Sequence, residues 1–203
     1  MAVDAEPRFV TVGVLALQGD FREHAAMLES IGCNTIEVRT SEDLDTVDAL
    51  VIPGGESTTI GMLATRYGLM DAMRSRCIDG MPIFGTCAGM IVLAGATSDG
   101  NQPQLGVLDA LVRRNAFGRQ IDSFEATIDV RGLASPMTAV FIRAPWIEKV
   151  GADVEVLASV MDSYGGSHPV VVQQGHILAT SFHPELTSDT RLHEMFVALI
   201  SDR

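Results

Sequence analysis

The sequence predicts a single α/β domain built on a doubly wound mixed sheet. Short apolar runs rich in β-branched residues alternate with helical-period segments through the first half, the pattern of a parallel sheet covered on both faces. The second half sets strand-like runs close together, which adds an antiparallel extension. The 203 residues, 47% of them hydrophobic, fit one sizeable core.

Residues 1–9 read as a flexible N-terminal tail and residues 10–203 as the domain. Residues 10–17 are almost continuously apolar, as a strand buried on both faces requires. Residues 21–31 carry Ala25, Met27, Leu28 and Ile31 at helical spacing, with Gly32 as the stop. Strands follow at 35–38 and 48–52, the latter ending at Pro53-Gly54-Gly55. A helix is predicted over 58–78 with a break near Gly68. A buried strand at 81–84 runs into Gly85-Thr86-Cys87-Ala88-Gly89 and a helix through 90–94. Further strands are expected at 124–130, 138–142, 154–160, 170–174 and 177–182, with a hairpin turn at 173–176. Residues 191–200 form a closing amphipathic helix.

A formal net charge of −12 disfavours nucleic-acid and anionic membrane partners. The only lysine is Lys149, so no Gly-Lys-Ser/Thr phosphate loop can be written. Cys33, Cys77 and Cys87 match no zinc spacing and no His-Glu-x-x-His occurs, so no metal site is expected. The apolar run after the tail stops at Gln18-Gly19-Asp20, too short for a membrane span and badly flanked for a signal peptide. A cytoplasmic, reducing setting is the simplest.

Three segments carry chemistry. A strand ending in Gly-x-Cys-x-Gly and turning directly into a helix is the thiol form of a nucleophile elbow, with Cys87 at the corner and the helix N-terminus favouring its thiolate. Cys33 and Cys77 lack that frame and read as small buried hydrophobes. In the segment Ser181-Phe182-His183-Pro184-Glu185, an extended backbone points His183 and Glu185 the same way, giving a base and the carboxylate that orients it. His24, His168, His176 and His193 lack such support and read as structural, His24 and His193 on helices and the other two in loops. Pro53-Gly54-Gly55-Glu56-Ser57 can turn backbone N–H groups into a cleft, with the Ala88 N–H as second donor to an oxyanion; the same loop also reads as a turn capped by Ser57 or Thr58.

The elbow together with His183-Pro184-Glu185 resembles the class I, triad-type glutamine amidotransferases. Most members follow the elbow with Gly-Met-Gln, whereas this chain has Gly89-Met90-Ile91. That departure is similar to the glutaminase subunits of pyridoxal 5′-phosphate synthase, as are the segments from Leu17 to His24, Pro53 to Thr59, Arg114 to Glu125 and Phe141 to Pro145. The resemblance implies a flavodoxin-like amidotransferase fold and a hydrolase that converts L-glutamine to L-glutamate and ammonia. The ammonia would pass to a (β/α)8-barrel synthase subunit in a heteromeric complex making vitamin B6, with no cofactor on this chain. It implies catalytic roles for Cys87, His183 and Glu185, and glutamine contacts from Gly54, Gly55, Glu56, Arg114, Ile142 and Arg143. It also implies an oxyanion hole from Gly55, Ala88 and Gln18, completed when the partner reorganises the Pro-Gly-Gly loop. Arg114 and Arg143 suit a carboxylate clamp, though residue type alone favours solvated surface charges in a chain with 13 arginines. Two alternatives stand beside this reading: the glutaminase subunit of another amidotransferase, and a non-catalytic cysteine-elbow binding protein.

Overall fold

The computed structural model describes residues 10–114, 116, 123–162 and 165–201; the predicted tail and part of the segment from Arg114 to Glu125 lie outside the described residues. The chain opens with β1 (Thr11–Leu15), α1 (Phe21–Ser30), β2 (Asn34–Val38), the short α2 (Ser41–Leu44) and β3 (Ala49–Ile52). Next come α3 (Ser57–Arg66), α4 (Leu69–Ile78), β4 (Ile83–Thr86) and α5 (Ala88–Leu93). The break between α3 and α4 falls at Gly68, whose φ of 72° lies in the left-handed region that glycine adopts without a Cβ clash. The second half holds β5 (Ala94–Thr97), β6 (Leu108–Arg113), β7 (Ser123–Ile128), β8 (Met137–Ile142), β9 (Trp146–Val150), β10 (Glu155–Met161), β11 (Ser167–Gln174) and β12 (Ile177–Thr180). A 3₁₀ turn at Pro184–Leu186 leads to α6 (Arg191–Ser201).

Seven strands form the main sheet in the order β10-β11-β12-β4-β3-β1-β2. Strands β12, β4, β3, β1 and β2 are parallel, while β11 and β10 extend the sheet antiparallel, as the sequence predicts. The β11–β12 hairpin turns at Gly175, with a φ of 55°. Burial on both faces explains the unbroken apolar runs. Along β3, Leu50 and Ile52 enter one core with Ile60 of α3 and Met73 of α4, while Ala49 and Val51 enter the other with Leu28 of α1 and Phe196 of α6.

Two expectations need correction. The strands predicted at 124–130 and 138–142 exist as β7 and β8, but they pair with each other as a separate two-stranded ribbon and do not join the main sheet. The ribbon sends Ile128, Ala139 and Phe141 into the core beneath α1 and α6, so its inward face replaces a further helix. A second small sheet, β5-β6-β9, has no counterpart in the expected elements. Nor does α2, although Thr40 and Asp43 form a reciprocal capping box at its start. His168, expected in a loop, lies in β11.

The sheet prepares the site by a simple device. Strands β1, β3, β4 and β12 run parallel and adjacent, so the segments that follow them leave at one edge. Gln18, Gly54, Cys87 and His183 each lie one to three residues beyond one of those strand ends, where ligands bind in open α/β sheets. The elbow helix must also pack close to the sheet. A Cβ on Gly89 would stand 2.0 Å from the Ile52 carbonyl oxygen, and one on Gly85 would stand 2.5 Å from Leu93 Cδ1. Gly89→Ala is therefore expected to destabilise the fold by about 1–3 kcal/mol, the usual size of an overpacking penalty, read as a lowered midpoint in thermal or urea unfolding. An unchanged midpoint would show that α5 does not sit against β3 at this spacing.

Candidate active site

Cys87 stands at the corner between β4 and α5 with φ 47° and ψ −103°, and with Arg143 it is one of two non-glycine residues of positive φ among those described. Such backbone costs on the order of 1–3 kcal/mol and persists only where its surroundings fix it. Here the Cys87 N–H donates to the Thr180 carbonyl at 2.8 Å, tying the corner to the end of β12. The thiol is nearly buried, with its sulfur 3.9 Å from the Ile142 carbonyl oxygen. Cys33 and Cys77 are free and buried, and burial pushes both thiols up, Cys77 to about 11, in line with their reading as inert hydrophobes.

His183 follows the neighbouring strand and lines the same cleft as Cys87, close enough for the thiol to act on the charge of its ring, and the ring is hydrogen-bonded to Glu185 on its other side. The Nδ1···Oε1 distance to Glu185 is 2.7 Å. The backbone differs from the extended segment expected: β12 ends at Thr180 and residues Pro184–Leu186 form a 3₁₀ turn, with Pro184 opening it. The turn curls Glu185 back under the imidazole, so the predicted pair meets through a different local geometry. Burial works to lower the His183 pKa, but the hydrogen bonds and charges of Cys87 and Glu185 outweigh it and push the ring up to about 10. Burial pushes the Glu185 carboxyl up from the ordinary carboxylate range. The imidazole is thus held as a cation between two acidic groups, ready to give a proton to a leaving amine.

Two glycine loops face this pair. A Cβ on Gly54 would lie 2.3 Å from His183 Cε1, so the ring packs against a residue with no side chain. Gly55 adopts φ 151° and Gly19 φ 100°. The loops are cross-tied: the Asp20 N–H donates to the Gly54 carbonyl at 3.2 Å, and the Glu56 N–H donates to Gln18 Oε1 at 2.6 Å. In this arrangement Gln18 braces the Pro-Gly-Gly loop through its amide oxygen. The helix cap also differs from expectation. Glu56, rather than Ser57 or Thr58, caps α3, accepting from the Thr58 N–H at 3.2 Å and the Thr59 N–H at 2.7 Å. Partial burial opposes its ionisation, but the hydrogen bonds from Thr59 and Thr58 hold its carboxyl below the usual range.

A cleft of about 560 Å³ joins these parts, large enough for one amino acid. Of the residues singled out from sequence, Gln18, Gly55, Glu56, Cys87, Ala88, Arg114, Ile142, Arg143 and His183 line it. Gly54 lies behind the imidazole and Glu185 is buried beneath it. The Arg114 guanidinium is fixed by Asp99 at 3.0 Å, Gln102 Oε1 at 3.1 Å and Thr58 Oγ1 at 3.3 Å. Sequence reasoning missed Asp20, whose carboxylate lies 3.4 Å from His183 Nδ1, and His24, which lies 3.3 Å from Glu185. Both stand in the segment from Leu17 to His24, but only their long-range contacts give them a role. Ligand atoms of Asp20, His183 and Glu185 lie within 4.8 Å of one another, close enough to share a cation, yet the short His183–Glu185 hydrogen bond already uses two of the three groups. No helix among the described residues is long and apolar enough to cross a membrane.

Comparison with known proteins finds similarity along most of the chain. Residues 14–202 match the SNO glutamine amidotransferase family. The pyridoxal 5′-phosphate synthase subunit PdxT of Acidothermus cellulolyticus is 58% identical over 193 residues, covering 94% of this chain and 93% of that one. The subunit of the same name from Nocardioides sp. is 55% identical over 194 residues, covering 95% of this chain and 96% of that one. The crystal structure of a glutamine amidotransferase superposes with a TM-score of 0.88 at 53% identity, covering 94% of this chain and 98% of that one.

The charge on the imidazole gives a direct test. Glu185→Gln keeps a hydrogen-bond acceptor for Nδ1–H but removes the anion, so the His183 ring should lose its proton at a pH lower by roughly one to three pH units. An NMR titration of the ring protons reads this, and an unmoved midpoint would remove the carboxylate from any part in holding the cation.

Proposed function

The chain belongs to the SNO glutamine amidotransferase family, and from that premise we propose that it is the glutaminase subunit of a pyridoxal 5′-phosphate synthase, hydrolysing L-glutamine to L-glutamate and ammonia for a synthase subunit to use. One observation carries the proposal: a strained elbow cysteine sharing one cleft with an imidazole that a buried carboxylate backs at 2.7 Å.

The Cys87 thiolate attacks the side-chain amide carbon, forming a C–S bond and an oxyanion. Backbone N–H groups of Gly55 and Ala88, with Gln18, receive that charge; one such donor is typically worth roughly 3 kcal/mol of barrier. Collapse breaks the C–N bond as the His183 imidazolium gives its proton to the departing nitrogen, leaving ammonia and a thioester. The now neutral ring takes a proton from water, which adds to the thioester carbon. Expulsion of the thiolate then yields glutamate and restores the thiolate–imidazolium pair, for a net consumption of glutamine and water. Glu185 keeps the ring oriented throughout. Gly54, Gly55, Glu56, Arg114, Ile142 and Arg143 hold the substrate. Arg114 and Arg143 face its carboxylate, and the ionised Glu56 side chain faces its ammonium.

The rim of the cleft supports a docked partner. Ile142 is 37% exposed and Leu186 is 44% exposed, both lining the opening, and a synthase subunit seated there would cover them and shield the ammonia from water. Gln18 holds the Glu56 N–H through Oε1, and a partner that turns the Pro-Gly-Gly loop would free that side chain to swing toward the oxyanion. Three free cysteines suit the reducing cytoplasm as the place of this chemistry.

Cys87→Ala should reduce glutamate release in the assembled complex to background while far-UV circular dichroism stays unchanged; retained turnover would overturn the nucleophile. The isolated wild-type chain should release glutamate more slowly than the same chain bound to the synthase subunit. Equal rates would overturn partner-dependent completion of the oxyanion hole.

A further inference from the structure

Behind Glu185 lies a polar chain that the mechanism above does not use. His24 of α1 and His193 of α6 are both fully buried, as is Thr86 at the end of β4. His24 Nε2 stands 3.0 Å from Thr86 Oγ1 and 3.3 Å from Glu185 Oε2, and His24 Nδ1 stands 2.9 Å from His193 Nε2. Glu185 Oε2 and His193 Nδ1 are buried and, among the described residues, make no hydrogen bond, which leaves His24 Nε2 at 3.3 Å as the polar group against Oε2. One histidine therefore meets the free oxygen of the carboxylate that holds His183, and a second, from a helix far away in sequence, meets the first.

Hydrogen-bond accounting selects one tautomer. With the proton of His24 on Nε2, that N–H donates to Thr86 Oγ1 and brings its positive end to 3.3 Å from Glu185 Oε2, and Nδ1 accepts the N–H of His193 Nε2. His193 Nδ1 is then left as a bare lone pair. The opposite arrangement turns a lone pair of His24 toward a carboxylate oxygen at 3.3 Å and leaves an N–H of His193 buried without an acceptor. A buried unpaired donor facing away from any acceptor, plus a lone pair against an anion, is the costlier state. Both rings also stay neutral. Burial, with the nearby charges of His193 and His183, holds His24 well below its ordinary value, and burial holds His193 down to about 4.

We infer that His24 is a positioning residue of the triad: its Nε2–H fixes Glu185 Oε2 so that Oε1 stays on His183, and His193 sets the tautomer that makes this possible. The inference rests on the reading of Cys87, His183 and Glu185 given above. It addresses a need specific to this site, because burial raises the Glu185 carboxyl and a carboxylate with one oxygen unmet is easily protonated or turned away. The groups that face the carboxylate are His183, Asp20 and His24; those that face His24 are Glu185, Thr86, His193 and, more remotely, His183.

Two measurements test it. In the wild-type chain labelled with ¹⁵N-histidine, NMR should find His24 neutral and protonated at Nε2 from mildly acidic to mildly alkaline pH; a cation, or a proton on Nδ1, would overturn the inference. In the complex with the synthase subunit, His24→Leu should lower kcat for glutamine hydrolysis roughly tenfold to a hundredfold, leave KM within about twofold, and move the acid limb of the kcat profile to higher pH. His24→Gln, whose amide nitrogen reaches the place of Nε2, should restore both kcat and the profile. His24→Asn reaches only the place of Nδ1 and should behave like His24→Leu, which keeps the test open if the leucine variant fails to fold. Wild-type kcat and profile in both His24→Leu and His24→Asn, or no rescue by His24→Gln, would overturn the positioning role while leaving the Cys87→Ala test of the nucleophile untouched.

Discussion

The site depends on a contact made by an absent side chain. Gly89 lets α5 rest with its first turn against the Ile52 carbonyl at the end of β3, and Gly85 clears the opposing Leu93. That closeness forces the backbone of Cys87 into positive φ, and the hydrogen bond from its N–H to Thr180 locks the corner to β12. Three neighbouring strands thereby aim one sulfur. The strain is small against the packing that imposes it, because both faces of β3 and β4 are fully buried and the elbow cannot relax without moving two cores.

Adjacency of β4 and β12 then does for the imidazole what the elbow does for the thiol. His183 follows β12 by three residues, so its ring arrives beside Cys87 whatever the length of chain between them. A charged ring buried at that point needs compensation, and the 3₁₀ turn supplies it by folding Glu185 beneath Nδ1. The carboxylate in turn is buried, with His24 of α1 at 3.3 Å from its second oxygen and Thr86 of β4 holding that histidine. Each element passes a polar contact to the next, and the chain of contacts runs from the cleft to α6.

What the sequence disclosed follows from how locally each feature is encoded. The Gly85-Thr86-Cys87-Ala88-Gly89 frame is a single turn whose steric demands are read from five residues, and its glycines stand against the backbone and side chain that make them necessary. The parallel core was legible because burial on both faces leaves an unbroken apolar run. The β7–β8 ribbon shows the limit: alternation in Ser123–Ile128 and Met137–Ile142 marks strands, but which sheet they join depends on the α1–α6 face they cover. His183 and Glu185 were rightly paired on the wrong backbone, since two residues apart can meet in a strand or in a tight turn. His24 shows on α1 only as part of the inward stripe with Met27 and Leu28, a spacing that marks burial but not the carboxylate it would meet.

The loop opposite the thiol is built differently from everything around it. Among the described residues, two hydrogen bonds tie it to the segment after β1: Asp20 N–H to Gly54 and Gln18 Oε1 to Glu56 N–H. Each is worth about 0.5–1.5 kcal/mol net of water, while the strand ends on either side are anchored in two cores. Under the proposed function, a partner docking over Ile142 and Leu186 would have only these two ties, a few kcal/mol together, to overcome in turning a peptide of Gly54-Gly55 and releasing Gln18. Glu56 stays in place through such a change, because its carboxylate is held by α3 rather than by the loop. The fold thus separates Cys87, His183 and Glu185, held by strand ends anchored in two cores, from a lightly tied loop on the other side of the cleft. Under the proposed function, that division lets the loop turn when a partner arrives while the sulfur, the imidazole and the carboxylate keep their places.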